Sequence, residues 1–141
     1  NDWAHLVHTH QDFQSHFCSL NGITVWIPLQ HMSEELGPIE YIKGSHKKGV
    51  LPSKEGLLTG SFEKASFSRE DMEFGDCLIF SQLLVHRSSV NKSSRARISC
   101  QIRFTDFGDE DWRKRNFMSV ERKTRDLLNG EDKKRFLVAS I

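Results

Sequence analysis

From Arg97 to Thr105 apolar and polar residues alternate without interruption. Ile98, Cys100, Ile102 and Phe104 fall on one face, and Arg97, Ser99, Gln101 and Arg103 on the other. A period of two marks a strand, because successive side chains leave an extended backbone on opposite sides. Ile23, Val25, Ile27 and Leu29 alternate in the same way with Thr24, Trp26 and Pro28, and Gly22 opens that run. Shorter runs at Ile39 to Ile42 and Cys77 to Ser81, the second entered through the Gly75-Asp76 turn, add two more strands. Several short strands separated by turn residues predict a mainly β sandwich or barrel. The tail reads differently: Ser119 could cap a helix through Leu128 that Asn129-Gly130 ends, and a second helix runs from Glu131 to Val138.

A chain of 141 residues fits one domain, able to bury roughly 68–70% of the surface its unfolded form exposes. Twenty basic against nineteen acidic residues leave a formal net charge of +1, so no field draws in nucleic acid or an anionic membrane. Small-molecule partners are expected. No apolar run approaches the ~20 residues that span a bilayer, and the polar start lacks the apolar stretch of a secretion signal. Cys18, Cys77 and Cys100 are odd in number and widely spaced. They read as reduced thiols, Cys77 and Cys100 packed in strands, and a cytoplasmic location follows.

The chemistry-bearing residues are His10-Gln11-Asp12 near the start, His86, and Arg97 eleven positions beyond it. Two imidazoles and one carboxylate are the ligand set of a facial triad, which holds Fe(II) on one face and leaves the other positions open. Taken alone, His-x-Asp arises by chance and reads as a surface turn sooner than as a metal site. A hydrolytic zinc site would use similar ligands, but it gives Arg97 and Ser88 no purpose.

The order of the surrounding stretches narrows the choice. His8-Thr9-His10-Gln11-Asp12 leads into Thr24-Val25-Trp26-Ile27-Pro28-Leu29, then Gly37-Pro38-Ile39-Glu40-Tyr41-Ile42-Lys43-Gly44-Ser45-His46. Gly75-Asp76-Cys77-Leu78-Ile79-Phe80 and His86-Arg87-Ser88-Ser89-Val90-Asn91-Lys92-Ser93 follow. From residue 8 to Phe104 this resembles the phytanoyl-CoA dioxygenase family of iron(II)/2-oxoglutarate oxygenases. One departure is Lys43, where the family usually has proline before Gly44.

The resemblance implies a double-stranded β-helix, the cupin-like jelly roll, with flanking C-terminal helices. It also implies Fe(II) held by His10, Asp12 and His86, and 2-oxoglutarate as co-substrate contacted by Trp26, Ser88 and Arg97. The expected reaction is hydroxylation of a small molecule using molecular oxygen. Halogenating relatives replace the carboxylate ligand with a small residue, and Asp12 argues against that variant. The first residue is Asn, not Met, and family members are usually longer. The chain therefore resembles a fragment of a single oxygenase domain lacking the N-terminal part, with a core over 8–107 and a helical tail over 109–141. A jelly-roll scaffold that keeps the pocket without turnover is the alternative.

Charge explains why these residue types suit that chemistry. Neutral imidazoles and one carboxylate leave iron with one compensating charge, so a dianionic 2-oxoacid can chelate it. The distant carboxylate then needs a cation, and the planar guanidinium offers two parallel hydrogen bonds. Arg95 is a rival to Arg97, which is favoured by spacing and strand face. In an ordinary sandwich Arg97, Ser99, Gln101 and Arg103 would face water. In a jelly roll with a metal between its sheets they would face inward with Thr24 and Trp26, and the apolar face would turn outward to be covered by helices. His5, His8, His16, His31 and His46 lack spaced partners and read as ordinary surface or packing residues. Arg113-Lys114-Arg115 reads as a solvated face. Gly49 to Phe74 reads either as a lid over substrate or as a surface excursion.

Overall fold

The alternating runs pair with one another. The structure, a computed structural model, describes residues 7–16, 18–55, 57–62 and 64–114. Its strands are β1 (Ile23–Pro28), β2 (Ile39–Tyr41), β3 (Ser53–Lys54), β4 (Leu57–Leu58), β5 (Leu78–Ser81), β6 (His86–Ser88) and β7 (Ser99–Phe104). Two short helices, α1 (Asp12–His16) and α2 (Glu110–Lys114), flank them. β1 lies between β5 and β7, antiparallel to both, while β2 pairs with β6 and β3 with β4. The mainly β fold is a jelly roll.

Side chains from both larger sheets meet in one apolar cluster. Trp26 and Phe80 come from one sheet and Ile39 from the other, with Met32, Leu36, Met72 and Leu84 from the connections. Met32 and Leu36 are wholly buried, each contributing on the order of 1.5–3 kcal/mol of transfer free energy. Thr24, Trp26 and Pro28 of β1 point inward and are buried, whereas Ile23 is 40% exposed. On the same outer face Ile79, Ile102 and Phe104 are 60%, 43% and 53% exposed. This is the inverse of a sandwich whose apolar residues all face in: polar and charged side chains from β7 turn toward the interior side.

Strand ends differ from the sequence expectation by one or two residues, as fraying and ladder pairing allow. Two features went unanticipated. β6 is a three-residue strand whose sequence, His86-Arg87-Ser88, has no apolar alternation. It forms because β2 supplies its ladder, with Tyr41 opposite His86 and Ile39 opposite Ser88. The 49–74 segment is anchored as well as long, through the β3–β4 hairpin and the bridges Tyr41–Ser68 and Met32–Met72. Cys77 and Cys100 are exposed, not packed, because the alternation places them with the outward residues, while Cys18 is buried. The helices expected over 119–138 lie outside the described residues, and among those described no helix is long and apolar enough to cross a membrane.

Candidate metal centre

His10 and His86 are 76 positions apart in sequence, yet their backbones exchange both hydrogen bonds, His10 N–H to the His86 carbonyl at 3.0 Å and the reverse at 3.1 Å. This isolated antiparallel bridge sets the imidazoles side by side, with ring centroids 4.2 Å apart. Each ring is oriented by the carbonyl two residues before it. His10 Nδ1 lies 2.7 Å from the His8 oxygen, and His86 Nδ1 lies 2.9 Å from the Leu84 oxygen. A carbonyl can only accept, so each Nδ1 carries a proton, leaving Nε2 as the ring atom available to a metal.

Asp12, with no exposed surface, completes the cluster. Its Oδ1 lies 3.4 Å from His10 Nε2 and 3.8 Å from His86 Nε2, and one donor atom from each of the three residues falls within 4.8 Å of the others. Three acceptors converging in a buried place call for a cation, and two nitrogens with one oxygen suit a first-row divalent metal. The residues present therefore fit the metal that the sequence pattern implies. Burial alone would push the Asp12 carboxyl up, but the adjacent His10, His86 and Arg103 side chains outweigh it and hold the group well below the usual carboxylate range. Burial, followed by the nearby charge of His10, lowers His86 to about 4, against the opposing pull of Asp12. The imidazole is thereby kept in its neutral, ligating form.

Gln11, between the two candidate ligands His10 and Asp12, is fully buried. Its amide donates to the Gly49 and Leu83 carbonyls at 2.9 and 2.6 Å and accepts from Leu51 N–H and Gln14 at 2.9 and 2.7 Å. The middle residue of the tripeptide thus ties the ligand turn to the start of the long segment and to the turn before β6. Ser45 does similar work from the other side, accepting the Val85 N–H at 2.9 Å, next to His86. The turn that carries Ser45 forms with Lys43 in place of proline, since Gly44 takes the left-handed conformation (φ 77°) by itself.

A cavity of about 510 Å³ opens beside the cluster. Trp26, Ser88 and Arg97 line it together with His10 and His86. Arg97 is half-buried, and its guanidinium donates to the Ser88 hydroxyl at 3.1 Å and to the Gly37 carbonyl. Burial pulls its pKa down from the ordinary value, without bringing an arginine near neutrality. Gly37 is in the left-handed conformation (φ 77°), and a Cβ there would meet the Ser89 oxygen at 2.6 Å and the Asn91 nitrogen at 2.8 Å. Only glycine lets the 37–38 and 89–91 backbones approach this closely. Arg95 is exposed and lies off the cavity wall.

Four contributors to the site were not assigned such a role from sequence. His16 lines the cavity with its Nε2 3.7 Å from Asp12 Oδ1. It is a site neighbour, not an ordinary surface residue, and the i,i+4 spacing from Asp12 on α1 was its one legible sign. Thr24 and Arg103 contact Asp12, and Gln11 braces the ligand turn. Of the remaining histidines, His8 and His46 are exposed, and His31 pairs with Glu73 at 2.8 Å on the surface.

A jelly roll that converges two imidazoles and a carboxylate at the edge of a polar cavity defines a non-haem metal-centre protein. Comparison with known proteins narrows this: residues 3–99 match the family model for phytanoyl-CoA dioxygenase (PhyH), and the chain belongs to that family. The dioxygenase lolE1 of Epichloe uncinata is 30% identical over 76 residues, covering 53% of this chain and 30% of that protein. The peroxisomal phytanoyl-CoA dioxygenase of Homo sapiens is 28% identical over 97 residues, covering 60% and 29%. The chain thus spans less than a third of the length of these relatives. Among solved structures, the epimerase SnoN in complex with Fe3+, alpha-ketoglutarate and nogalamycin RO superposes with a TM-score of 0.60 at 19% identity, covering 72% of this chain and 43% of that one. The non-heme monooxygenase ThoJ gives 0.63 at 21%, covering 71% and 40%. These last likenesses are of fold.

Proposed function

We propose that this chain carries the active centre of an Fe(II)/2-oxoglutarate-dependent oxygenase that hydroxylates a small molecule. The observation that carries the reading is the buried His10, Asp12 and His86 cluster, whose two imidazoles line one cavity with the Arg97–Ser88 pair. A zinc hydrolase would account for the first group and leave the second without a purpose.

His10 and His86 would hold iron through Nε2 and Asp12 through Oδ1, while 2-oxoglutarate would extend from the metal toward Arg97. Bound there, the pair would supply the power to insert one oxygen atom of O2 into a C–H bond, the other atom going into succinate as 2-oxoglutarate is oxidised and releases CO2. The chain's own residues do the positioning. Arg97 offers its remaining N–H groups to the distant carboxylate, the Ser88 hydroxyl turns its lone pair to Arg97 and its proton toward the same ligand, and Trp26 forms an apolar wall. The cavity volume suits a small metabolite. Arg87 is engaged already, with Nε 2.7 Å from Glu40 and its guanidinium 3.8 Å from the Phe67 ring centre.

Anaerobic addition of Fe(II) and 2-oxoglutarate should produce the weak visible charge-transfer band of a chelated complex, and His86→Ala should abolish it. Absence of the band and of any iron binding by the unmutated protein would overturn the reading in favour of a scaffold without turnover. Succinate release in the presence of a turnover substrate would confirm catalysis.

A further inference from the structure

We propose that Thr24 and Arg103 are positioning residues that restrict Asp12 to metal coordination through a single oxygen. The inference rests on the metal reading above and concerns residues that the ligand set does not include. A carboxylate offers about four lone-pair directions, two on each oxygen. At Asp12 three of them have donors. Thr24 Oγ1 donates to Oδ2 at 2.7 Å, Arg103 Nε donates to Oδ2 at 3.3 Å, and Arg103 Nη2 donates to Oδ1 at 3.3 Å. One direction is left, on Oδ1, the oxygen that faces His10 Nε2 and His86 Nε2. His16 Nε2, at 3.7 Å from Oδ1, stands beyond hydrogen-bond range.

The sheet builds this cradle. Thr24 on β1 and Arg103 on β7 are directly opposite in the antiparallel register, so their inward side chains rise as a pair beneath the carboxylate. Thr24 and Asp12 have no exposed surface, which leaves water no route to replace the Thr24 donor, while Arg103 reaches the carboxylate from the cavity wall with its side chain 27% exposed. The consequence falls on the metal. In an octahedral site, three protein donor atoms leave three positions, two for a chelating 2-oxoacid and one for oxygen. A carboxylate free to pivot and bind through both oxygens would occupy that last position. With both lone pairs of Oδ2 engaged, Asp12 has only one way to bind.

The number of metal-bound waters tests this without turnover. Mn(II) bound to the full chain in the absence of 2-oxoglutarate should carry about three exchangeable waters, read from water-proton relaxation per bound ion. The Thr24→Val/Arg103→Gln double variant should carry about two, so the relaxation enhancement per bound Mn(II) falls by about a third. Arg103→Lys keeps a cationic donor beside the intact Thr24 hydroxyl and should retain the wild-type value, as should Thr24→Ser. A purely structural role would lower the fraction of protein that binds Mn(II) and leave the waters per bound ion unchanged. That result, or a wild-type value of about two, overturns the proposal. If the double variant does not fold, Thr24→Val alone is read in the same way. Failure of the unmutated protein to bind Mn(II) would instead overturn the metal reading itself.

Discussion

Replacing Arg97 with alanine removes a guanidinium whose geometry is fixed before any ligand arrives. Two of its five N–H groups are engaged, by the Gly37 carbonyl and by the Ser88 hydroxyl at 3.1 Å, and the others are free for an anion in the cavity. Leaving a buried carboxylate without its bidentate partner costs about 2–5 kcal/mol. Arg97 is half-buried, so solvent screens part of the interaction and the lower end applies. A loss of about 2–3 kcal/mol corresponds to 2-oxoglutarate binding weakened by roughly 30- to 150-fold. Arg97→Lys should recover part of it, since a point charge remains but the planar fork does not. Arg95→Ala should change affinity by less than about threefold, because Arg95 is exposed and off the cavity wall. Anaerobic titration of 2-oxoglutarate into the Fe(II)-loaded protein, followed by the charge-transfer band or by calorimetry, measures all three. A larger effect at Arg95 than at Arg97, or equal small effects at both, would refute the reasoning.

Three further outcomes follow from the same geometry. In the metal-free protein His86 titrates at about 4, below the ordinary 6.5, so the unfolded chain takes the proton first as pH falls. Stability is therefore full above pH 6.5 and is lost progressively toward pH 4, by up to about 3 kcal/mol; urea midpoints of the EDTA-treated protein should drop across that window, and a flat or rising midpoint would contradict the burial argument. Gly37→Ala forces a Cβ against the 89–91 backbone in a left-handed conformation, so it should displace the carbonyl that steadies Arg97 and weaken 2-oxoglutarate binding together with thermal stability; an unchanged melting temperature would count against the close approach. Cys18 is buried and its thiol is pushed up to about 12, mainly by burial and then by the charge of Asp12. It should resist a thiol reagent under native conditions while Cys77 and Cys100, both exposed, react, and mass spectrometry of the labelled peptides gives the order.

What the sequence determined by itself is local and periodic. Alternation along β1 and β7 fixes which residues share a face, because an extended backbone gives no other choice. The residues around His10, Asp12, His86 and Arg97 carry enough chemistry, in a specific enough order, to place the chain in its family. What tertiary structure alone decided is how separate segments meet. Nothing local in His86-Arg87-Ser88 marks a strand, which exists because β2 and the His10 bridge supply its ladder. Thr24 and Arg103 become one cradle only through the register of two strands almost eighty residues apart in the chain. His16 enters the site through one turn of helix, and Gln11 is read as a brace only when its four partners, drawn from Gln14, residues 49–51 and Leu83, are in place. Composition and periodicity are properties of a stretch of chain. Contacts around the Asp12 carboxylate depend on long-range pairing, which many sequences satisfying the same pattern could arrange differently.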